Sequence, residues 1–300
     1  MPPRSSSASR RYHHLSDRDL LDLLYTAGDR LPREAVDEIL RRRERTTGEL
    51  CAMVMDKAAW TQPLPEWWAA VHATYIIAAQ EDTDLLVCLL SALRWADAFD
   101  CDWVTEDLPS MFGRLGPPVF PALLSLTGDI TAGPGARAIA LAGSAATALG
   151  APDLLIQALD TAANIAGNTA ENLFLRQSAA HLLMDFRSVR HSELLRSFGR
   201  EEADRRKEDP EYQGVFYDWE VDELLREDTG QNLEYYRRDW MAFYDPEEIQ
   251  RREERWRREQ EEGAAAVESE PPESTSRDLQ APCSCGSGRP FEQCCYLKVH

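Results

Sequence analysis

The sequence predicts an all-α fold class, with a body made of antiparallel helix pairs. Three observations carry this reading. Apolar residues recur at i, i+3, i+4 and i+7 through most of the chain. Glycine and proline punctuate it at helix-length intervals. No segment alternates apolar and polar residues with the period of two that a half-buried strand requires. With 300 residues, 43% of them hydrophobic, the chain is long enough to bury a sizeable core. No window approaches eighteen uninterrupted apolar residues, which excludes a membrane-spanning helix.

Residues 1–14 are rich in Ser, Arg and Pro and have no apolar period, so they read as a disordered tail. They also lack the apolar stretch of a secretory signal, which predicts a cytoplasmic protein. The helical body is expected over residues 15–228. Leu20, Leu21, Leu23 and Leu24 open it. Pro32 then stands where a helical turn would begin, ahead of Val36, Ile39 and Leu40. The basic run Arg41, Arg42, Arg43 and Arg45 suits the C-terminal end of that helix and reads as solvated. Trp67, Trp68, Val71, Tyr75 and Ile76 mark a further helix, and Leu85, Leu86, Leu89, Leu90 and Leu93 another.

The centre of the chain carries a repeat. Gly116, Gly133, Gly150 and Gly167 stand at regular intervals, and Pro117, Pro134 and Pro152 follow the first three. Glycine past a helix end and proline inside the next start is the expected asymmetry. In one interval Ala138, Ile139, Ala142, Ala145, Ala146 and Leu149 form a stripe of small residues that would let helices approach closely. Two such intervals make a unit of about 34 residues, the scale of helical solenoids. The run Ala140–Asn168 resembles a tetratricopeptide repeat without its aromatic positions. The less regular flanks are more similar to HEAT repeats, so a HEAT-like solenoid is the expected architecture.

Aromatic residues crowd positions 212–244, with Tyr212, Phe216 and Trp219, then Tyr236, Trp240, Phe243 and Tyr244. They read as core that caps the open end of the solenoid; a partner surface is the alternative. Residues 229–262 are expected as a helical extension, aromatic and then highly charged. Residues 263–281 contain Pro271 and Pro272 and no aromatic residue, so they read as a flexible linker whose ends would lie about 25 Å apart. Charge is uneven along the chain. Of a net −19, the stretch 201–262 supplies more than half, with twenty-two acidic and eleven basic residues. That balance repels phosphate backbones and speaks against nucleic acid as a ligand of the body.

Seven cysteines are present. Cys51, Cys88 and Cys101 are scattered and read as small buried hydrophobes. The other four lie within the last eighteen residues, in the order Pro282-Cys283-Ser284-Cys285-Gly286-Ser287-Gly288-Arg289-Pro290-Phe291-Glu292-Gln293-Cys294-Cys295. An odd total without a signal peptide argues against an extracellular disulfide framework, so the cluster reads as a metal site. Four thiolates suit tetrahedral zinc, and a full coordination shell is structural, not catalytic. Iron is the alternative metal for such a donor set. His300 is the alternative donor at one position.

This C-x-C-x8-C-C segment resembles the SEC-C motif, the zinc-binding C-terminal segment of the translocase motor SecA. The resemblance covers residues 282–295 of a segment spanning 282–300. It implies zinc held by Cys283, Cys285, Cys294 and Cys295, the last standing where SecA-type motifs commonly carry His. It also implies a chaperone, a translocation component or the ribosome as partner. The stretch between the cysteine pairs holds only Arg289 against Glu292, whereas the family often carries several basic residues there. No G-x-x-x-x-G-K-[ST] loop is present, so the ATPase of SecA is not implied. SEC-C motifs also occur as appendages on otherwise unrelated bacterial proteins with helical bodies.

No H-E-x-x-H, G-x-S-x-G or strand-linked G-x-G-x-x-G is found. His72 and His181 lie among apolar residues and read as packed histidines, and His191 also lies in helical sequence. Asp82 with Asp84, and Asp97 with Asp100 and Asp102, read as solvated acidic faces. Asp100, Asp102, Glu106 and Asp107 are candidates for loose binding of a hard cation, without an EF-hand pattern. The expected function is therefore a cytoplasmic protein-binding adaptor with a tethered structural zinc motif. The alternative is a metal-dependent enzyme with an acidic active site in the helical body.

Overall fold

A computed structural model describes residues 11–209, 211–226 and 231–269. It is all-α, with no strand among the described residues. Seven helices form the first half: α1 (Asp17–Thr26), α2 (Arg33–Arg41), α3 (Arg43–Met55), α4 (Trp68–Ala78), α5 (Leu86–Ala98), α6 (Asp102–Thr105) and α7 (Leu108–Leu115). Then come α8 (Phe120–Thr127), α9 (Pro134–Thr147), α10 (Pro152–Gly167), α11 (Leu173–Asp185), α12 (Ser192–Glu208), α13 (Asp218–Arg226) and α14 (Pro246–Ser269). The contacts divide the chain into residues 1–249 and 250–300, a boundary that falls within α14.

The first half gathers around α4. All eleven of its residues are buried, as expected for a helix that is apolar on every side. It packs against α1, α2, α3, α5, α6 and α7. From α8 to α13 the arrangement changes, and each helix packs on the next. Contacts to the next helix but one also recur, between α9 and α11 and between α10 and α12. Pro134 and Pro152 occupy the first helical position of α9 and α10. Gly116 ends α7 at a φ of 72°, a conformation that glycine adopts without steric penalty.

The small-residue stripe of α9 does close-packing work. Gly143 lies against the fully buried ring of Phe112, where an added Cβ would sit 2.7 Å from Cδ2. Gly113 on α7 faces the Ala146 methyl in return, at 3.2 Å for an added Cβ.

Two buried arginines tie the second half together in the same way. Each is the fourth residue of its helix. Arg137 donates Nε to Thr127 O, ten residues upstream, and both terminal nitrogens to the Glu171 carboxylate. Arg176 donates Nε to Ala166 O, again ten residues upstream, and both terminal nitrogens to Glu201. The upstream carbonyls end the preceding helices, where no intrahelical donor remains. Bidentate pairing fits the guanidinium fork to the carboxylate. The Glu201 carboxyl is held at about 2, chiefly by the Arg176 hydrogen bond against partial burial, with Arg205 assisting.

Several expectations are revised. Cys51 and Cys88 are joined in a disulfide with Cα atoms 5.6 Å apart, because α3 and α5 pack side by side within bridging distance. Only Cys101 is buried and free among the described cysteines. The basic run is solvated at Arg41, Arg43 and Arg45 but not at Arg42. Arg42 is almost fully buried, pairs with buried Glu38 and with Asp17, and donates to the carbonyls of Leu15, Tyr12 and His13. Those bonds fix residues 12–15, part of which reads as tail from sequence. Residues 235–237 and 240–244 form short 3-10 turns, not an α-helix. Helix α14 continues to Ser269, into the stretch read as linker, through the helix-favouring run Ala264–Ala266. The rest of the linker and Cys283, Cys285, Cys294, Cys295 and His300 lie outside the described residues.

Two outcomes follow from this packing. Gly143→Ala should destabilise the fold by about 1–3 kcal/mol, because overpacking against Phe112 exceeds a helix-propensity gain of about 1 kcal/mol. Urea denaturation measures it, and Phe112→Leu in the same chain should restore part of the loss. Glu201 has a depressed value in the folded state, so its contribution is complete above its ordinary value of 4.5 and is lost as pH falls towards about 2. Arg176→Gln should therefore cost about 2 kcal/mol near neutrality, moderated by the partial exposure of Glu201. The gap to the unaltered chain should narrow across that acid window, leaving the part due to the bond to Ala166 O. A gap that stays constant with pH would contradict the pairing.

Candidate functional site

Between the two halves of the 1–249 unit lies a cavity of about 540 Å³. One wall is a face of α11 on which Phe174, Ser178, His181, Leu182 and Asp185 line up at helical spacing. Opposite it, Gly135, Ala138, Ile139 and Ala142 of α9 supply small apolar groups. The end of α5, the loop that follows it, and the two ends of α6 contribute Asp97, Asp100, Asp102 and Glu106. A returning segment, residues 231–245, closes the remaining side with Asn232, Tyr235 and Tyr236.

The returning segment has little regular hydrogen bonding of its own, so side chains hold it down. Tyr236 donates its hydroxyl to Asp185 Oδ2 at 2.8 Å, and Asn232 N donates to Asp185 O at 3.1 Å. Arg238 bridges Glu106 at 3.1 Å and Asp107 at 3.3 Å. Trp240 Nε1 donates to Tyr75 O, and Arg33 reaches Met241 O and Asp245. Tyr244 meets His72 Nδ1 at 3.0 Å, while His72 Nε2 lies 2.8 Å from Gly28 O. The Gly28 carbonyl can only accept, which assigns the His72 proton to Nε2 and lets Nδ1 accept from Tyr244. Trp68, Tyr75 and Trp103 surround Phe243 at centroid distances of 5.6–5.8 Å. Tyr236, Trp240, Phe243 and Tyr244 are thus core. Tyr217 and Trp219 differ, being 43% and 57% exposed and stacked on one another.

The carboxylates of the cavity fall into two sets. Asp97 sits against the start of α9, where the Ala136 backbone acts to lower its pKa. A Cβ on Gly135 would collide with its Oδ1, and one on Gly133 would lie 2.7 Å from Oδ2. Those two glycines leave room for a carboxylate at a helix N-terminus, where the dipole favours it. Burial nevertheless raises Asp97 above its ordinary range, and the Asp100 charge adds to the shift. Asp185 is likewise raised by burial, against the His181 charge and the Tyr236 hydrogen bond. Tyr235 is pushed up to about 12, mainly by burial. The second set is exposed: Asp100, at a φ of 51°, and Asp102 have no ion-pair partner among the described residues.

The structure brings Asp97, Asp100, Asp102 and Glu106 to one cavity, as their closeness in sequence allows. It also brings His181, which is exposed and 3.6 Å from Asp185, not packed in the core. His181 faces outward because its α11 turn forms the cavity wall. Asp107 turns away to accept from Tyr75 at 2.5 Å and from Arg238. Asp82 accepts from Asp84 N in a local turn elsewhere. His191 is tied to Ser188 and Asp160. No group of three or more metal-ligating side chains converges among the described residues. No helix is long and apolar enough to cross a membrane among those residues. Sequence reasoning missed Asp185, Phe174 and Tyr235 as cavity residues. The i, i+4, i+7 spacing of Phe174, Ser178 and His181 was the available signal, but periodicity alone does not say whether a face is filled.

Compared with family models, with curated proteins and with solved structures, the chain finds no match.

Tyr236→Phe should raise the Asp185 carboxyl further, since burial then acts with one less opposing hydrogen bond, and should cost about 1 kcal/mol of stability. Carboxyl-carbon NMR titration reads the first effect and denaturant unfolding the second. An unchanged Asp185 titration would show that the hydroxyl does not govern it.

Proposed function

We propose that this chain is an adaptor, whose helical-repeat body binds one protein while a tethered zinc motif contacts another. One observation carries the reading. From α8 to α13 each helix packs on its successor and two pairs pack on the next but one, with the same arginine bond to a carbonyl ten residues upstream recurring at Arg137 and Arg176. The two arginines are thirty-nine positions apart, near the length of a HEAT unit. A HEAT-like solenoid in this half would present an extended surface to a partner, and the cavity between α9 and α11 lies on it.

The C-terminal segment enters through its donor set. Cys283, Cys285, Cys294 and Cys295 would hold zinc as four thiolates, a closed shell that orders a short peptide. Zinc supplies a folding constraint there and no reaction.

Elemental analysis tests the two-module reading. The full chain should bind one zinc per molecule, and a chain ending at Gln280 should bind none while its helical melting transition is unchanged. Retained zinc in the shortened chain, or equal loss of cooperativity in the whole body, would overturn it. Affinity capture with the same two chains then separates the roles of body and tail. A partner lost on shortening is held by the zinc motif, and one retained is held by the body.

A further inference from the structure

We propose that the acidic cavity receives a lysine or arginine side chain from a basic, amphipathic segment of a protein partner. This rests on the adaptor reading and names the chemistry of what the body binds. The cavity volume of about 540 Å³ is within the range of ligand sites, and its chemistry is layered. Ala138, Ala142 and Leu182 form an apolar floor, and Phe174 stands at the mouth with 53% of its surface exposed. Asp100 and Asp102 form an exposed rim with no cation of their own among the described residues.

The remaining carboxylates are already engaged. Asp97 is packed against the start of α9, Asp185 accepts from Tyr236 and Glu106 from Arg238. The two rim charges are therefore the ones left for a ligand. An anion is repelled from such a mouth. A neutral apolar group would desolvate the carboxylates without return. A bare metal ion finds no converging set of three ligands among the described residues. A long aliphatic stem ending in a cation satisfies both layers, because lysine and arginine lay their methylenes on apolar surface and keep the charged head at the polar edge. Phe174 offers its exposed ring to the residue beside that side chain, a contact that a peptide can make and a small polyamine cannot. The net charge of −19 steers such a partner inward.

The test is calorimetric titration of the full-length protein at about 0.15 M ionic strength. The probes are a short peptide alternating arginine and leucine, its glutamate–leucine counterpart, and spermidine. The double variant Asp100→Asn/Asp102→Asn removes the rim charge, and Asn tolerates the positive φ at position 100. Asp153→Asn, an exposed carboxylate outside the cavity, controls for net charge. The arginine peptide should bind, and the rim variant should weaken it about 2- to 30-fold, as expected for two exposed ion pairs. Asp153→Asn should leave it within about two-fold. Phe174→Ala should weaken the peptide and leave spermidine unchanged. Absence of arginine-peptide binding, equal weakening by Asp153→Asn, or spermidine binding as tightly as the peptide would each overturn the assignment. Thermal melting of each variant confirms that it is folded. If the rim variant still captures the body's partner undiminished, the adaptor reading stands and this site falls. If no partner is captured by either the full or the shortened chain, the adaptor reading falls with it.

Discussion

Tyr236 gives its hydroxyl to Asp185 in the second half of the body, and eight residues later Tyr244 meets His72 in the first. Between those two bonds the chain crosses from one hydrophobic core to the other. Tyr236 belongs to the core of α8–α13, and Trp240, Phe243 and Tyr244 belong to the core around α4. A segment with so few backbone hydrogen bonds of its own stays in place only if side-chain bonds and aromatic burial replace them. The cavity has a fourth wall because they do.

That wall also explains the electrostatics. Crowding carboxylates in a partly buried site costs free energy unless each finds a donor. The molecule resolves this unevenly. A helix N-terminus takes Asp97, a tyrosine takes Asp185 and an arginine takes Glu106. The two that remain are exposed, where water screens them. Structural and available charge thus sit side by side, separated by whether a donor is at hand and not by residue type.

The all-α class was legible in the sequence because helix periodicity and the Gly–Pro punctuation are local properties. Pro134 and Pro152 stand where local rules put them, and Ala146 of the small-residue stripe meets Gly113 of a neighbouring helix. What was not legible depends on partners far along the chain. His72 bonds a tyrosine 172 residues away, and Arg33 a carbonyl 208 residues away. The Cys51–Cys88 bridge depends on α3 lying beside α5, and the burial of Arg42 on the N-terminal segment folding over it. The acidic residues of the cavity were noticed, but the wall that makes them a cavity comes from 130 residues downstream. A pattern of charges reports composition; only the tertiary path decides which charges share a space.

The paired arginines bear on how such a chain can change length over evolutionary time. The distance back to the carbonyl is ten residues in both, whereas the distance forward to the glutamate is 34 in one and 25 in the other. The backward reach is set by a helix end and a short connection, so it admits no insertion. The forward partners are not equivalent: Glu171 lies in the connection before α11, whereas Glu201 lies within α12. The connection before each arginine is therefore held to one length by the backward bond, whereas the forward partner can come from a loop or from a helix, so the two sides of each arginine tolerate a change of chain length differently.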